Sequence, residues 1–255
     1  MIDTLSTLIA IPSFQLVLLI VFATGIVRGF SGFGSGMIIG PSTAALFTPK
    51  IALAMIAILD VIPTLLIVWP ARKDVNWKEV FPVIIGYAVM VPLGVWFLAT
   101  SDPVYLRWFI SLSILVAVAV LWSGWRYGGK RTSVLSFSVG GLGGFMGAAA
   151  ALPGPAVLIY WLASSARASS VRANMIYYLF ITDMFIIIGY LFADIFTYDA
   201  VLMGLLGIPG YFIGILIGMF AFKSASDRLY RNIAYAIILL SAVTSLPLLD
   251  ALLRG

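Results

Sequence analysis

Ten apolar stretches follow one another along the chain, separated by short turns: residues 11–27, 31–48, 51–71, 80–99, 104–123, 134–151, 154–166, 173–193, 199–222 and 229–249. A helix needs ~20 apolar residues to cross ~30 Å of hydrocarbon. Only 10% of the 255 residues are charged, against about 25% in soluble domains. Too few polar groups remain to coat a water-facing surface, and in lipid a helix satisfies its own backbone. The expectation is an all-α integral membrane protein. It would be a single transmembrane domain over residues 1–255 with about ten segments. Segments 31–48, 134–151 and 154–166 are short or rich in Gly, Ala and Pro, so eight full spans with re-entrant pieces is a second open layout.

The chain has no cysteine and no histidine. Disulfides, thiol chemistry and cysteine metal sites are excluded, and the usual general base near neutral pH is missing. No cofactor and no enzymatic activity are expected. The net charge of +5 does not point to nucleic acid, because the charges lie at segment ends rather than in a patch. With ten spans and the N-terminus outside, twelve of the fifteen Lys and Arg fall in inward-facing turns, among them Arg28, Arg167 and Arg172. That bias follows the positive-inside rule and places both termini outside. The first apolar stretch lacks the basic flank and cleavage site of a signal peptide and reads as a retained helix.

The halves of the chain resemble each other. Gly29-Phe30-Ser31-Gly32-Phe33-Gly34-Ser35-Gly36, followed by Gly40-Pro41, matches Gly141-Leu142-Gly143-Gly144-Phe145-Met146-Gly147, followed by Gly154-Pro155. Ile58-Leu59-Asp60-Val61 matches Ile181-Thr182-Asp183-Met184, and the stretch from Gly86 to Gly94 resembles that from Gly207 to Gly214. Repeat 1 covers about 11–125, a cytoplasmic linker about 126–132, and repeat 2 about 133–250. Five segments is an odd number, so the second repeat must be inverted relative to the first. Inverted repeats are typical of secondary transporters, with substrate bound near the midplane between the repeats.

Three constellations could carry chemistry. Gly and Pro make poor helix interiors, so both glycine-rich stretches predict interrupted helices. The freed N-terminal ends of such helices suit an anion, and Ser31, Gly32, Gly34, Ser35, Pro41, Ser42, Gly144 and Pro155 are the candidate lining. Close helix packing through small residues is the competing reading. Asp60 and Asp183 lie ten and eleven residues beyond Lys50 and Arg172, ~15 Å along a helix and so near the midplane. A carboxylate there is functional by default, as a proton-coupling or gating group or as a hydrogen-bonding strut. Asn174 and Tyr178 share a face of the Asp183 helix and are either cavity donors or ordinary interhelical bonds. Arg28, beside the first glycine-rich stretch, could attract an anion at the cytoplasmic mouth.

On its paired glycine-rich segments, Gly29 to Pro41 and Gly141 to Pro155, and its five-plus-five layout, the sequence resembles the sulfite exporter TauE/SafE family of permeases (also called TSUP). The resemblance covers nearly the whole chain. It implies a secondary transporter in the bacterial cytoplasmic membrane that moves a small sulfur-containing anion: sulfite, sulfoacetate or another organosulfonate. Alternating access with proton coupling is the expected mechanism. A passive anion channel and a permease for a non-sulfur carboxylate are the alternatives. The expected partners are the anion, protons and the lipid bilayer, and the protein is either a monomer or a homodimer.

Overall fold

A computed structural model describes residues 11–31, 34–124, 132–162 and 168–221, with isolated positions at 129, 239, 243, 246 and 247. These residues form helices and turns, and no strand occurs among them. In chain order the helices are α1 (Pro12–Ser31), α2 (Ser35–Leu46), α3 (Pro49–Ala71), α4 (Trp77–Thr100), α5 (Pro103–Trp122), α6 (Ser133–Ala150), α7 (Gly154–Leu162), α8 (Ala168–Phe192) and α9 (Tyr198–Ala221). The tenth predicted segment, 229–249, lies outside the described residues apart from the isolated positions 239, 243, 246 and 247.

Local chemistry sets the helix starts. Thr48 caps α3 by accepting from Ile51 N at 3.3 Å, and Pro49 follows where a missing N–H costs nothing. Thr132 caps α6 in the same way through Leu135 N at 3.2 Å. At α5, Asp102 Oδ1 accepts from Val104 N at 2.7 Å. Among the described residues, six helices (α1, α4, α5, α6, α8 and α9) are long and apolar enough to cross a membrane. α2 and α7 differ. With 12 and 9 residues they reach only ~18 and ~14 Å, too short to cross alone. Exposed side chains such as Leu19, Trp96, Val116 and Phe220 form the lipid-facing surface. The protein is a multi-pass membrane protein.

Two glycine seams dominate the packing. α1 and α9 run parallel: Gly207 sits near Val21, Gly25 faces the Tyr211 carbonyl, and Gly29 faces the Ile215 carbonyl. α4 and α6 also run parallel, with Gly140 against the Val83 carbonyl, Gly144 against the Tyr87 carbonyl and Gly94 against Phe145. These are the most extensive helix pairs. Without a hydrophobic force between helices in lipid, such close approach of backbones is what holds them together. The glycine-rich stretches therefore divide between two settings. Gly29, Gly140 and Gly144 belong to packing seams, whereas Gly34, Gly36, Gly147 and Gly154 line a cavity.

A methyl group tests the seam. In Gly29→Ala the new Cβ would overlap the Ile215 backbone, whereas in Gly40→Ala the nearest atom is Ile56 Cδ1 at 3.8 Å. Gly29→Ala should lose about 1–3 kcal/mol to overpacking. Gly40→Ala should melt at or slightly above the wild-type temperature, since Ala is the better helix former. Thermal unfolding of the purified variants checks both, and equal melting would refute the seam.

Candidate functional site

The two helix interruptions meet. Gly34, at φ 100°, begins α2 in the left-handed region that glycine tolerates. α6 ends at Ala151, itself left-handed at φ 55°, and Leu152-Pro153 leads into α7. Gly36 lies directly against the Ala151 carbonyl, so the start of α2 and the α6–α7 break form one contact. Beside it is a cavity of about 60 Å³. A water needs roughly 10–15 Å³ by this kind of measure, so the cavity has room for a few waters or a compact anion. The first turns of α2 and α7 line it, closed by α3, α8 and Arg28 of α1.

Hydroxyl groups replace the backbone partners that the break removes. Tyr190 donates to the Ala148 carbonyl at 2.6 Å and Tyr178 to the Pro153 carbonyl at 2.9 Å. Leu152 N reaches the Met146 carbonyl at 3.1 Å. This is the condition under which irregular backbone survives at membrane depth.

Asp60 is the hub of the polar wall. It is the twelfth of the 23 residues of α3, at the helix centre. Arg28 Nη1 donates to its Oδ2 at 2.7 Å, and Ser35 Oγ donates to the same oxygen at 2.8 Å. Arg28 Nη1 also donates to Ser35 Oγ, and the Tyr211 hydroxyl donates to Asp60 Oδ1 at 2.7 Å. Four helices thus supply one buried cluster around a buried ion pair. In a low-dielectric interior such a pair survives only when further hydrogen bonds support it, as they do here.

Asp183 stands on the same cavity from α8, but its Oδ2 is buried and has no hydrogen-bond partner among the described residues.

Of the residues singled out in the sequence, the cavity gathers Arg28, Gly34, Ser35, Asp60, Pro155 and Asp183. Arg28 is not in a turn: α1 runs past it to Ser31 and leaves it only 7% exposed. Pro41, Ser42 and Gly144 are not part of the cavity wall. Asn174 accepts from Asn76 N at 2.7 Å and donates Nδ2 to Glu79 Oε2 at 3.2 Å, tying α8 to the start of α4, and Tyr178 braces the break. Gly32 and the Ser31 side chain lie outside the described residues. Tyr211 and Tyr190 escaped the sequence reading. Tyr211 sits inside the glycine-rich stretch matched between the halves, which was its one signal.

Apolar helices that cross the bilayer, two short helices beginning at one buried charged cavity, and backbone breaks held by hydroxyls define a membrane transporter rather than a membrane anchor. The chain matches the sulfite exporter TauE/SafE family model over residues 17–245 and belongs to that family of membrane transporters. Comparisons with curated proteins and with solved structures gave no match.

Proposed function

We propose that the protein is a proton-coupled permease for a small sulfur-containing oxyanion such as sulfite or an organosulfonate. It would work by alternating access in the cytoplasmic membrane with both termini outside. The observation that carries the reading is the convergence of the α2 and α7 N-terminal turns on the cavity that holds Arg28 and Ser35. Helix N-termini carry roughly half a positive charge each and suit acceptor-only oxygens. Gly34 offers no side chain to cap α2, which leaves that end to a ligand.

The incoming anion would take over Arg28 and Ser35 from Asp60, which stays held by Tyr211. Asp183, with an oxygen that no described group holds, would carry the compensating proton. An inverted repeat supplies the two-sided mechanism. In support, exchanging the halves turns the α1–α9 seam into the α6–α4 seam, and the α3–α9 contact into α8–α4. Short helices at matching places in two halves are the usual mark of a transporter site.

Melting of purified protein should test the substrate class. At a hundredfold excess over Kd a ligand stabilises by about 2.7 kcal/mol, a rise of roughly 5–10 °C. Sulfite, sulfoacetate or thiosulfate should produce that rise and acetate or succinate should not. A shift with carboxylates alone would overturn the sulfur assignment. In proteoliposomes an imposed proton gradient should drive accumulation against the anion gradient, and flux that only ever dissipates that gradient would mean a channel.

A further inference from the structure

We propose that the crevice between α5, α6 and α7 binds one acyl chain of a bilayer phospholipid, with the chain's end seated against the α6–α7 break. The crevice measures about 620 Å³ and its lining is almost wholly apolar. Of its two polar side chains, Ser113 and Tyr160, the tyrosine hydroxyl is already bonded to Ser136 Oγ at 2.6 Å. Nothing in the lining could recognise a charged substrate or a headgroup.

The crevice opens to the hydrocarbon. Leu112, Val116 and Leu142 line it and are 49, 64 and 53% exposed, so it continues the lipid-facing surface. Along α6 the lining runs from Leu135 to Met146, ~16 Å at helical rise. Half of the ~30 Å hydrocarbon core is ~15 Å, the depth of one leaflet. In lipid no hydrophobic force draws a chain in. What favours it is dispersion, because an unfilled groove forfeits contacts on one side, and acyl chains are the abundant flexible apolar groups at that depth.

The inner end matters most. Leu152 and Pro155 line this crevice and also the charged cavity. A seated chain therefore braces, from the lipid side, the backbone break whose other side faces Arg28 and Asp183.

The full-length protein would be reconstituted in phosphatidylcholine carrying a photoactivatable diazirine near the end of one acyl chain, and adducts mapped by mass spectrometry. Adducts at Leu142, Met146 and Val116 should exceed those at Phe81, Val89 and Leu93 on the exposed face of α4 several-fold. Ala117→Phe and Ala156→Phe, which fill the crevice, should abolish the excess. Should either fail to fold, Val116→Gln keeps the volume, turns the lip polar and should lower labelling in the same way. Equal labelling of α4 and the crevice would leave only ordinary surrounding lipid and overturn the proposal. The chain has no cysteine, so Leu142→Cys reports competing occupants cleanly. A disulfide between two copies, or to a second cysteine placed within 229–249, would assign the crevice to protein instead. Labelling is read without flux, so this outcome is independent of the substrate.

Discussion

Arg28→Met and Asp60→Leu, made singly, should each cost about 3–5 kcal/mol and leave little folded protein. Made together they should restore the melting temperature to near wild type while transport stays absent. Each single change breaks a buried ion pair and leaves one charge of it behind. Arg28 would lose the carboxylate 2.7 Å away, or Asp60 would lose the guanidinium that pairs with it. The double change removes both charges at similar volume, and buried pairs replaced in this way are often neutral for stability or better. Melting of the four proteins gives the coupling energy by a double-mutant cycle. Ser35→Ala and Tyr211→Phe should cost less, about 1.5–3 kcal/mol for each hydrogen bond to the carboxylate lost. Flux decides the role of the pair. A stable double variant that still transports would make Arg28 and Asp60 a structural strut and remove Arg28 from the anion site.

The membrane class, the approximate helix bounds, both interruptions and the central place of Asp60 in its helix were legible in the sequence because each depends on local spacing. The fate of Arg28 was not. Hydropathy ended the first span at residue 27, one residue short of an arginine, and the positive-inside count then treated that arginine as an orientation marker. In the structure α1 continues for another turn. The readable warning was energetic: an isolated Asp60 in a membrane span needs a partner, and Arg28 was the basic residue nearest a glycine-rich break. Asn174 and Tyr178 show a different limit. Their shared face was visible, but their partners are Asn76, Glu79 and Pro153, and helical periodicity says nothing about which distant turn a face meets. The glycines could have been sorted better. Gly25 with Gly29, and Gly140 with Gly144, have the four-residue spacing of a packing ridge, whereas Gly34, Gly36 and Gly154 cluster at helix starts.

Asp183→Asn should fold and melt like the wild type yet lose proton-driven accumulation, falling to the level of protein-free vesicles, while anion exchange in the absence of a gradient persists. The two aspartates sit in similar local sequences, Ile58-Leu59-Asp60 and Ile181-Thr182-Asp183, but differ in their surroundings. Asp60 accepts from Arg28 and Ser35 on one oxygen and from Tyr211 on the other, so a neutral amide there removes the ion pair's charge and turns one of the two acceptors into a donor. Asp183 offers a buried oxygen to which no described group donates, so the isosteric amide abandons no charged partner. What it loses is the ability to gain and release a proton inside the cavity that both residues share. If the anion displaces Asp60 from Arg28, one more negative charge enters that small space, and a proton on Asp183 is the nearest means of offsetting it. Stability and coupling should therefore separate across the pair, with Asp60 holding the site together and Asp183 carrying the proton. Wild-type pH dependence of transport in Asp183→Asn would defeat that division. The same would follow if Asp60→Asn left the melting temperature untouched and Asp183→Asn lowered it.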